Sequence, residues 1–104
     1  MRRGEIWWAE LDPPAGRRPV LLLSRDEAYS VRSLIIVAPI TTRIRRIASE
    51  VPLGIEDRMP QDCVANLDTI ITIPKDCLQS RITSLSTKKL VEVESAIRFS
   101  LGMV

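Results

Sequence analysis

Histidine is absent from this chain of 104 residues, which excludes imidazole general acid/base catalysis and most zinc sites. Any chemistry must come from arginine, lysine, carboxylates, hydroxyls or backbone groups. The arginines are the groups that cluster. Arg17, Arg18, Arg25, Arg32, Arg43, Arg45 and Arg46 fall in a stretch without lysine, opposed only by Asp26 and Glu27. A guanidinium offers phosphate a planar fork and stacks on bases, so an arginine-only set suits RNA. A solvated basic surface has the same composition, and composition alone leaves both readings open. Cys63 and Cys77 follow no metal-ligand spacing and are expected to be free thiols of a reducing cytoplasm. No residue cluster calls for a metal or another cofactor.

The elements that must position these groups follow from pattern and length. One domain is expected. The composition is 45% apolar but only 4% aromatic, so the core must be built from Ile, Val and Leu, which favour strands. No apolar run approaches the roughly 18 residues of a membrane span. Met1-Arg2-Arg3-Gly4-Glu5 has no apolar stretch behind its charges, so no leader peptide and no membrane contact are expected.

Residues 5–11 read as a first strand, ended by Asp12-Pro13-Pro14-Ala15-Gly16. The runs Val20-Leu21-Leu22-Leu23 and Leu34-Ile35-Ile36-Val37-Ala38 suit strands buried on both faces. Residues 41–46 read as a basic loop, 48–53 as a strand and 54–61 as a surface connection. Residues 63–67 and 69–73 read as one strand or two abutting ones, stopped by Pro74, with a short strand at Arg81-Ile82. Leu90, Val93, Ile97 and Leu101 recur at helical spacing behind Ser86, an N-cap residue, and before Gly102, a C-cap residue. Strands followed by one amphipathic helix suggest a mainly β, α+β domain: a small barrel with a C-terminal helix.

Four segments carry a resemblance that patterning does not. Arg3-Gly4-Glu5-Ile6-Trp7 with Leu11-Asp12-Pro13, Arg18-Pro19-Val20-Leu21 with Leu23-Ser24, Val37-Ala38-Pro39-Ile40-Thr41-Thr42, and Ser80-Arg81-Ile82 through Leu85-Ser86 to Ser100-Leu101-Gly102 stand in this order along nearly the whole chain. Together they resemble the MazF/PemK toxins. The resemblance implies an SH3-like barrel that forms homodimers. It implies metal-independent cleavage of single-stranded RNA (mRNA, tRNA or rRNA) to 2′,3′-cyclic phosphate and 5′-hydroxyl ends. It also implies a MazE-like antitoxin that holds the toxin inactive in the cytoplasm.

The resemblance assigns Arg18 and Thr41 as catalytic groups. Arg18 would grip the phosphate and Thr41 would donate its hydroxyl to a phosphoryl oxygen; Thr42 beside it reads as structural. Asp68 stands where one branch of the family has an acid/base aspartate, but Asn66 occupies the position of that branch's accompanying arginine. Asp68 therefore remains open as general base, as a partner that orients Arg18, or as a structural group. A Ser-Glu-Gln-Gly-like insert carried by many relatives between LDP and RPV is missing. RNA grip would then rest on Arg17, Arg25, Arg43, Arg45, Arg46 and Asn66. Trp7 and Trp8 alternate in a strand, so one should face outward, where an indole can stack on a base; packing is the favoured use. A gyrase-binding toxin of the related CcdB type, and a non-catalytic RNA- or partner-binding module, are the competing readings, because one fold hosts several functions.

Overall fold

The computed structural model describes all 104 residues. Seven strands and two helices follow one another: β1 (Glu5–Glu10), β2 (Arg17–Leu22), α1 (Ala28–Val31), β3 (Leu34–Thr41), β4 (Glu50–Leu53), β5 (Cys63–Asn66), β6 (Ile71–Pro74), β7 (Leu78–Ser84) and α2 (Thr87–Leu101). The strands pair antiparallel in the order β4-β5-β3-β2-β1-β7. β3 has two partners on the side away from β2. Its first half, from Leu34 to Val37, pairs with β6, and Ile40 and Thr41 pair with β5. The segment read as one strand or two is thus two, laid end to end along β3.

Val20, Leu21 and Leu22 are all fully buried because β2 lies inside the sheet with apolar cover on both faces. Leu21 joins Ile6, Ile40, Val51, Leu67 and, from α2, Val93 and Ala96 in the larger core. Val20 and Leu22 join Ala9, Ile35, Val37, Ile73 and Tyr29 in a second core on the other face. Trp7 packs against this second core and donates its indole N–H to Glu5 (2.9 Å). Burial alone would raise the pKa of Glu5. The Trp7 bond, the Arg2 backbone, the N-terminal charge and Arg81 outweigh burial and hold it below the ordinary value. Burial likewise pushes the Tyr29 hydroxyl, bonded to the Ser24 carbonyl, up to about 12.

The mainly β fold with a C-terminal helix matches the sequence pattern, but the sheet stays open between its outer strands β4 and β7. Pro52, mid-way along β4, has no N–H to give another ladder and suits an edge. α2 covers the edge instead: Lys89 donates to the Pro52 carbonyl (2.8 Å) and pairs with Asp57 (3.7 Å). Ser86 caps α2 by accepting from the Lys89 N–H (3.1 Å), and Gly102 ends it at φ 68°. The short strand expected at Arg81-Ile82 is the longer β7. Its exposed Gln79, Ser80 and Arg81 hide the strand pattern, as fits an edge. α1 has four residues and no side-chain cap, so nothing in the sequence marks it.

Gly4 has φ +94°, and a Cβ there would lie 2.7 Å from Leu90 Cδ2 on α2. Its N–H reaches the Leu22 carbonyl and its carbonyl accepts from Leu85 N–H, both at 2.9 Å. Both the dihedral and the fit against the helix demand glycine. Gly4→Ala should lower the free energy of unfolding by about 1–3 kcal/mol, seen as a lower denaturation midpoint with an unchanged m-value. A urea titration that leaves the midpoint in place would remove this account of the residue.

Candidate active site

Arg18 and Thr41 meet because β2 and β3 share one register. Val20 pairs with Pro39 and Leu21 with Ala38. Continued two residues past Val20, this register sets Arg18 across from Thr41. Both line a cleft of about 360 Å³ at the strand ends, together with Trp8, Arg17, Gln61 and Ile82 among others. β1, β2, β3, β7 and the segment before β5 each supply part of the wall.

The tight β1–β2 connection holds Arg18 from behind. Leu11 N–H bonds to the Gly16 carbonyl (2.9 Å) and Ala15 N–H to the Asp12 carbonyl (3.1 Å), with Gly16 at φ 65°. Arg18 Nε donates to the Ala15 carbonyl at 3.0 Å. That bond occupies one N–H and leaves both terminal nitrogens of an exposed guanidinium available as a fork for an anion. The short loop therefore serves as an anchor for Arg18 rather than as a cover over the cleft.

Arg17 is placed differently. Trp8 pairs with Pro19, so Arg17 is its diagonal neighbour on the same face. The Arg17 guanidinium carbon lies 4.2 Å from the Trp8 ring centroid, a cation–π contact. Arg17 Nε donates to Gln79 Oε1 at 2.9 Å. The strand register explains how Gln79 reaches it. Trp8 pairs with Ser80 while Ala9 pairs with Leu78, which leaves Gln79 as an extra residue; Ile6 pairs with Thr83 while Trp7 pairs with Arg81, which leaves Ile82 as another. Both bulged residues serve the cleft, Ile82 in its wall and Gln79 through Arg17. Re-aiming side chains is what bulges beside sites do.

Thr41 accepts the Arg43 N–H on its hydroxyl oxygen (3.1 Å). The loop that follows, residues 42–49, carries the other arginines. Arg45 points back: its guanidinium lies 3.6 Å from Glu50 Oε2, while Arg43 and Arg46 enter no ion pair. Arg25 lies beyond the far end of β2, on the loop before α1, and does not share the cleft. Asn66 and Asp68 are outside it too. Asn66 Oδ1 accepts the Asp68 N–H (2.9 Å), and Asp68 Oδ2 accepts from Ser49 Oγ (2.6 Å). The structure thus brings together Arg17, Arg18 and Thr41 and leaves Arg25, Asn66 and Asp68 elsewhere. Gln61, Gln79 and Ile82 were not singled out from sequence; Arg17 was, as an RNA contact, and Trp8 only as one of two tryptophans that could stack.

No carboxylate lines the cleft. Cys63 does, but burial, then Asp57 and Asp62, raise its pKa, so it is a neutral thiol and no nucleophile. The chain nowhere gathers three or more Cys, Asp or Glu side chains as a ligand set. The site can therefore bind an anion between the Arg18 fork and the Thr41 hydroxyl and stabilise charge growing on it, with Arg17 beside it on the Trp8 face of the strand.

Known proteins are similar to this chain over nearly its whole length. Residues 2–101 match a family model described as PemK-like, MazF-like toxin of type II toxin–antitoxin system. A probable endoribonuclease MazF2 of Mycobacterium tuberculosis is 42% identical over 103 residues, covering 98% of this chain and 99% of that protein. An endoribonuclease MazF of Staphylococcus saprophyticus is 36% identical over 111 residues, covering 99% of this chain and 92% of that protein. The solved structure of Mycobacterium tuberculosis toxin MazF-mt6 superposes with a TM-score of 0.89 at 31% identity, covering 96% of this chain and 98% of its own. A MazE–MazF structure from Deinococcus radiodurans superposes with a TM-score of 0.84 at 25% identity, covering 100% and 98%. The chain belongs to the PemK-like, MazF-like toxins of type II toxin–antitoxin systems.

Proposed function

We propose that this chain is the toxin of such a system and that it cuts single-stranded RNA at the cleft, without metal, by attack of a 2′-oxygen on the adjacent phosphorus. The observation that carries the site assignment is the meeting of Arg18 and Thr41 on one cleft wall. The 2′-oxygen forms a bond to phosphorus as the bond to the 5′-oxygen breaks. The products are a 2′,3′-cyclic phosphate and a 5′-hydroxyl, the 2′-hydroxyl proton going to solvent and the leaving oxygen gaining one. Arg18 holds two phosphoryl oxygens and Thr41 donates to one of them, so both act on charge that grows in the transition state. Arg17, stacked on Trp8 and steadied by Gln79, takes a neighbouring phosphate or base. Arg43 and Arg46 lead the RNA strand away from the cleft.

Asp68 is assigned the structural member of its three readings, a link between the β5–β6 turn and Ser49, because its carboxylate is bonded there. Arg25 and Asn66 are proposed only as distant contacts for a longer RNA. The partners are RNA, a second copy of the chain and a MazE-like antitoxin. No helix is long and apolar enough to cross a membrane, and the proposed place of action is the cytoplasm, where RNA is available and Cys63 and Cys77 stay reduced.

In excess EDTA the protein should cut a long single-stranded RNA, and Arg18→Ala and Thr41→Ala should each slow cleavage by at least about 10²-fold. Sequenced products would locate the cuts. Full activity of Arg18→Ala, or strict dependence on added Mg²⁺, would sink the mechanism.

With no carboxylate or histidine in the cleft, deprotonation of the 2′-hydroxyl falls to solvent. The logarithm of the rate should then climb with pH at a slope near one across the neutral range. A rate that does not change with pH across the neutral range would restore a protein carboxylate as the base.

RNA binding should weaken with salt. Arg43→Ala and Arg46→Ala should each flatten the slope of log K against log salt by about 0.7, the single-strand value per phosphate contact. Arg45→Ala should flatten it less, because that guanidinium is turned toward Glu50. Three equal changes, or none, would contradict this division of the loop.

A further inference from the structure

Glu50 is a charged side chain in a buried place, and the cleft does not account for it. It opens edge strand β4, opposite Asn66 of β5, and its side chain is 1% exposed. Burying a carboxylate is unfavourable unless its oxygens are occupied. Glu50 Oε1 accepts two backbone bonds, from Arg45 N–H (2.8 Å) and Arg46 N–H (3.1 Å). Glu50 Oε2 has no hydrogen-bond partner and faces only the Arg45 guanidinium, 3.6 Å away.

What this carboxylate grips is the loop from Thr42 to Ser49. The loop has no helix or strand of its own, and its residues from Thr42 to Ala48 are exposed. Arg46 sits at φ 58°, a left-handed conformation uncommon for an arginine. At the loop's end Ser49 ties it to the neighbouring turn, its Oγ donating to Asp68 Oδ2 (2.6 Å) and its carbonyl accepting the Leu67 N–H (2.9 Å), and before Ser49 the loop's attachments are two. In the middle stand the two amides on Glu50, and Glu50 N–H returns to the Ile47 carbonyl (3.0 Å). At the start stands the Arg43 N–H on Thr41 Oγ1 (3.1 Å). Without the Glu50 anchor the second attachment has little to keep it.

That second attachment decides what the Thr41 hydroxyl can do. A hydroxyl has one proton and two acceptor lone pairs. The Arg43 amide takes a lone pair, so the proton must point away from the amide and is free to be donated into the cleft. A hydroxyl released from the amide rotates and spends its time on water.

We propose that Glu50 is a positioning residue. By fixing the 42–49 loop it keeps the Arg43 amide on Thr41, and so keeps the Thr41 hydroxyl oriented as a donor to the scissile phosphate. The inference rests on the catalytic reading of Thr41, and a double-mutant cycle separates the two. Single-turnover cleavage at saturating RNA is measured for wild type, Glu50→Ala, Thr41→Ala and the double variant, well below each variant's melting temperature. Glu50→Ala should slow the wild-type step roughly 10- to 100-fold, the scale of a misplaced group. It should have little further effect once Thr41 is alanine, because the group it positions is gone. Glu50→Gln should recover most of the rate: its amide oxygen still accepts both N–H groups, and only the ion pair with Arg45 is lost.

An equal slowing of the wild-type and Thr41→Ala proteins by Glu50→Ala would overturn the proposal. So would a full rate in Glu50→Ala, or a Glu50→Gln protein as slow as Glu50→Ala. If Glu50→Ala does not fold, Glu50→Asp carries the same cycle, since it keeps the charge but withdraws it from the two amides. A Thr41→Ala protein as active as wild type is a separate result that removes the reading of Thr41 itself.

Discussion

The site depends on the antiparallel register between β2 and β3. Side chains alternate along a strand, so a slip of one residue would turn Arg18 and Thr41 to opposite faces. What prevents the slip is burial on both faces at once. Leu21 belongs to one core and Val20 and Leu22 to the other, and Val37 and Ala38 are divided in the same way. A slip would exchange the two sets and misfit both cores. The apolar run that reads as ordinary core in the sequence is thus also the device that aligns two polar residues at the strand ends.

Much of this was legible, and the reasons differ by element. β2 and β3 announced themselves through continuous apolar runs, and α2 through its spacing and both caps. These are local signals, carried by residues close in the chain. The motif glycine of Arg3-Gly4-Glu5 was visible as a pattern, but its reason was not: it is set by a φ of +94° and by Leu90, which lies on the last helix. The bulges at Gln79 and Ile82 escaped for the same cause. They are properties of a pairing between the two ends of the chain, β1 and β7, and no local composition marks them. The open sheet followed from Pro52 and Lys89 jointly, and only Pro52 could have hinted at it.

The arginine cluster shows the limit of reading charge from sequence. Seven arginines looked alike, yet their surroundings divide them. Arg18 is tethered through Nε with its fork free, Arg17 lies on an indole, Arg45 is turned inward and Arg25 is at the wrong end of its strand. Glu50, which sorts the loop arginines, drew no attention as one acid among 13. Burial separates it from the others, and burial of a single polar residue at the start of an edge strand has no periodicity to betray it. Asp68 shows the reverse case. It stood at a position of interest by resemblance, while its hydroxyl partner Ser49 was invisible because the two are brought together only by the β4–β5 pairing.

The cleft also constrains where selectivity for RNA can arise. On the proposed chemistry its arginines and the Thr41 hydroxyl address phosphate, which RNA and DNA share. On the proposed chemistry the 2′-hydroxyl is the nucleophile, so discrimination comes from the reaction rather than from binding. Such a site needs no pocket shaped to exclude DNA. It needs a strand free to swing its 2′-oxygen into line with the leaving 5′-oxygen, which a base-paired helix resists. An open cleft at the ends of rigid strands meets that need: Arg18 and Thr41 are fixed by the sheet, and the flexible partner is the RNA. The precision lies in the β2–β3 register and in the loop that Glu50 holds, while the substrate supplies the reacting group and the motion.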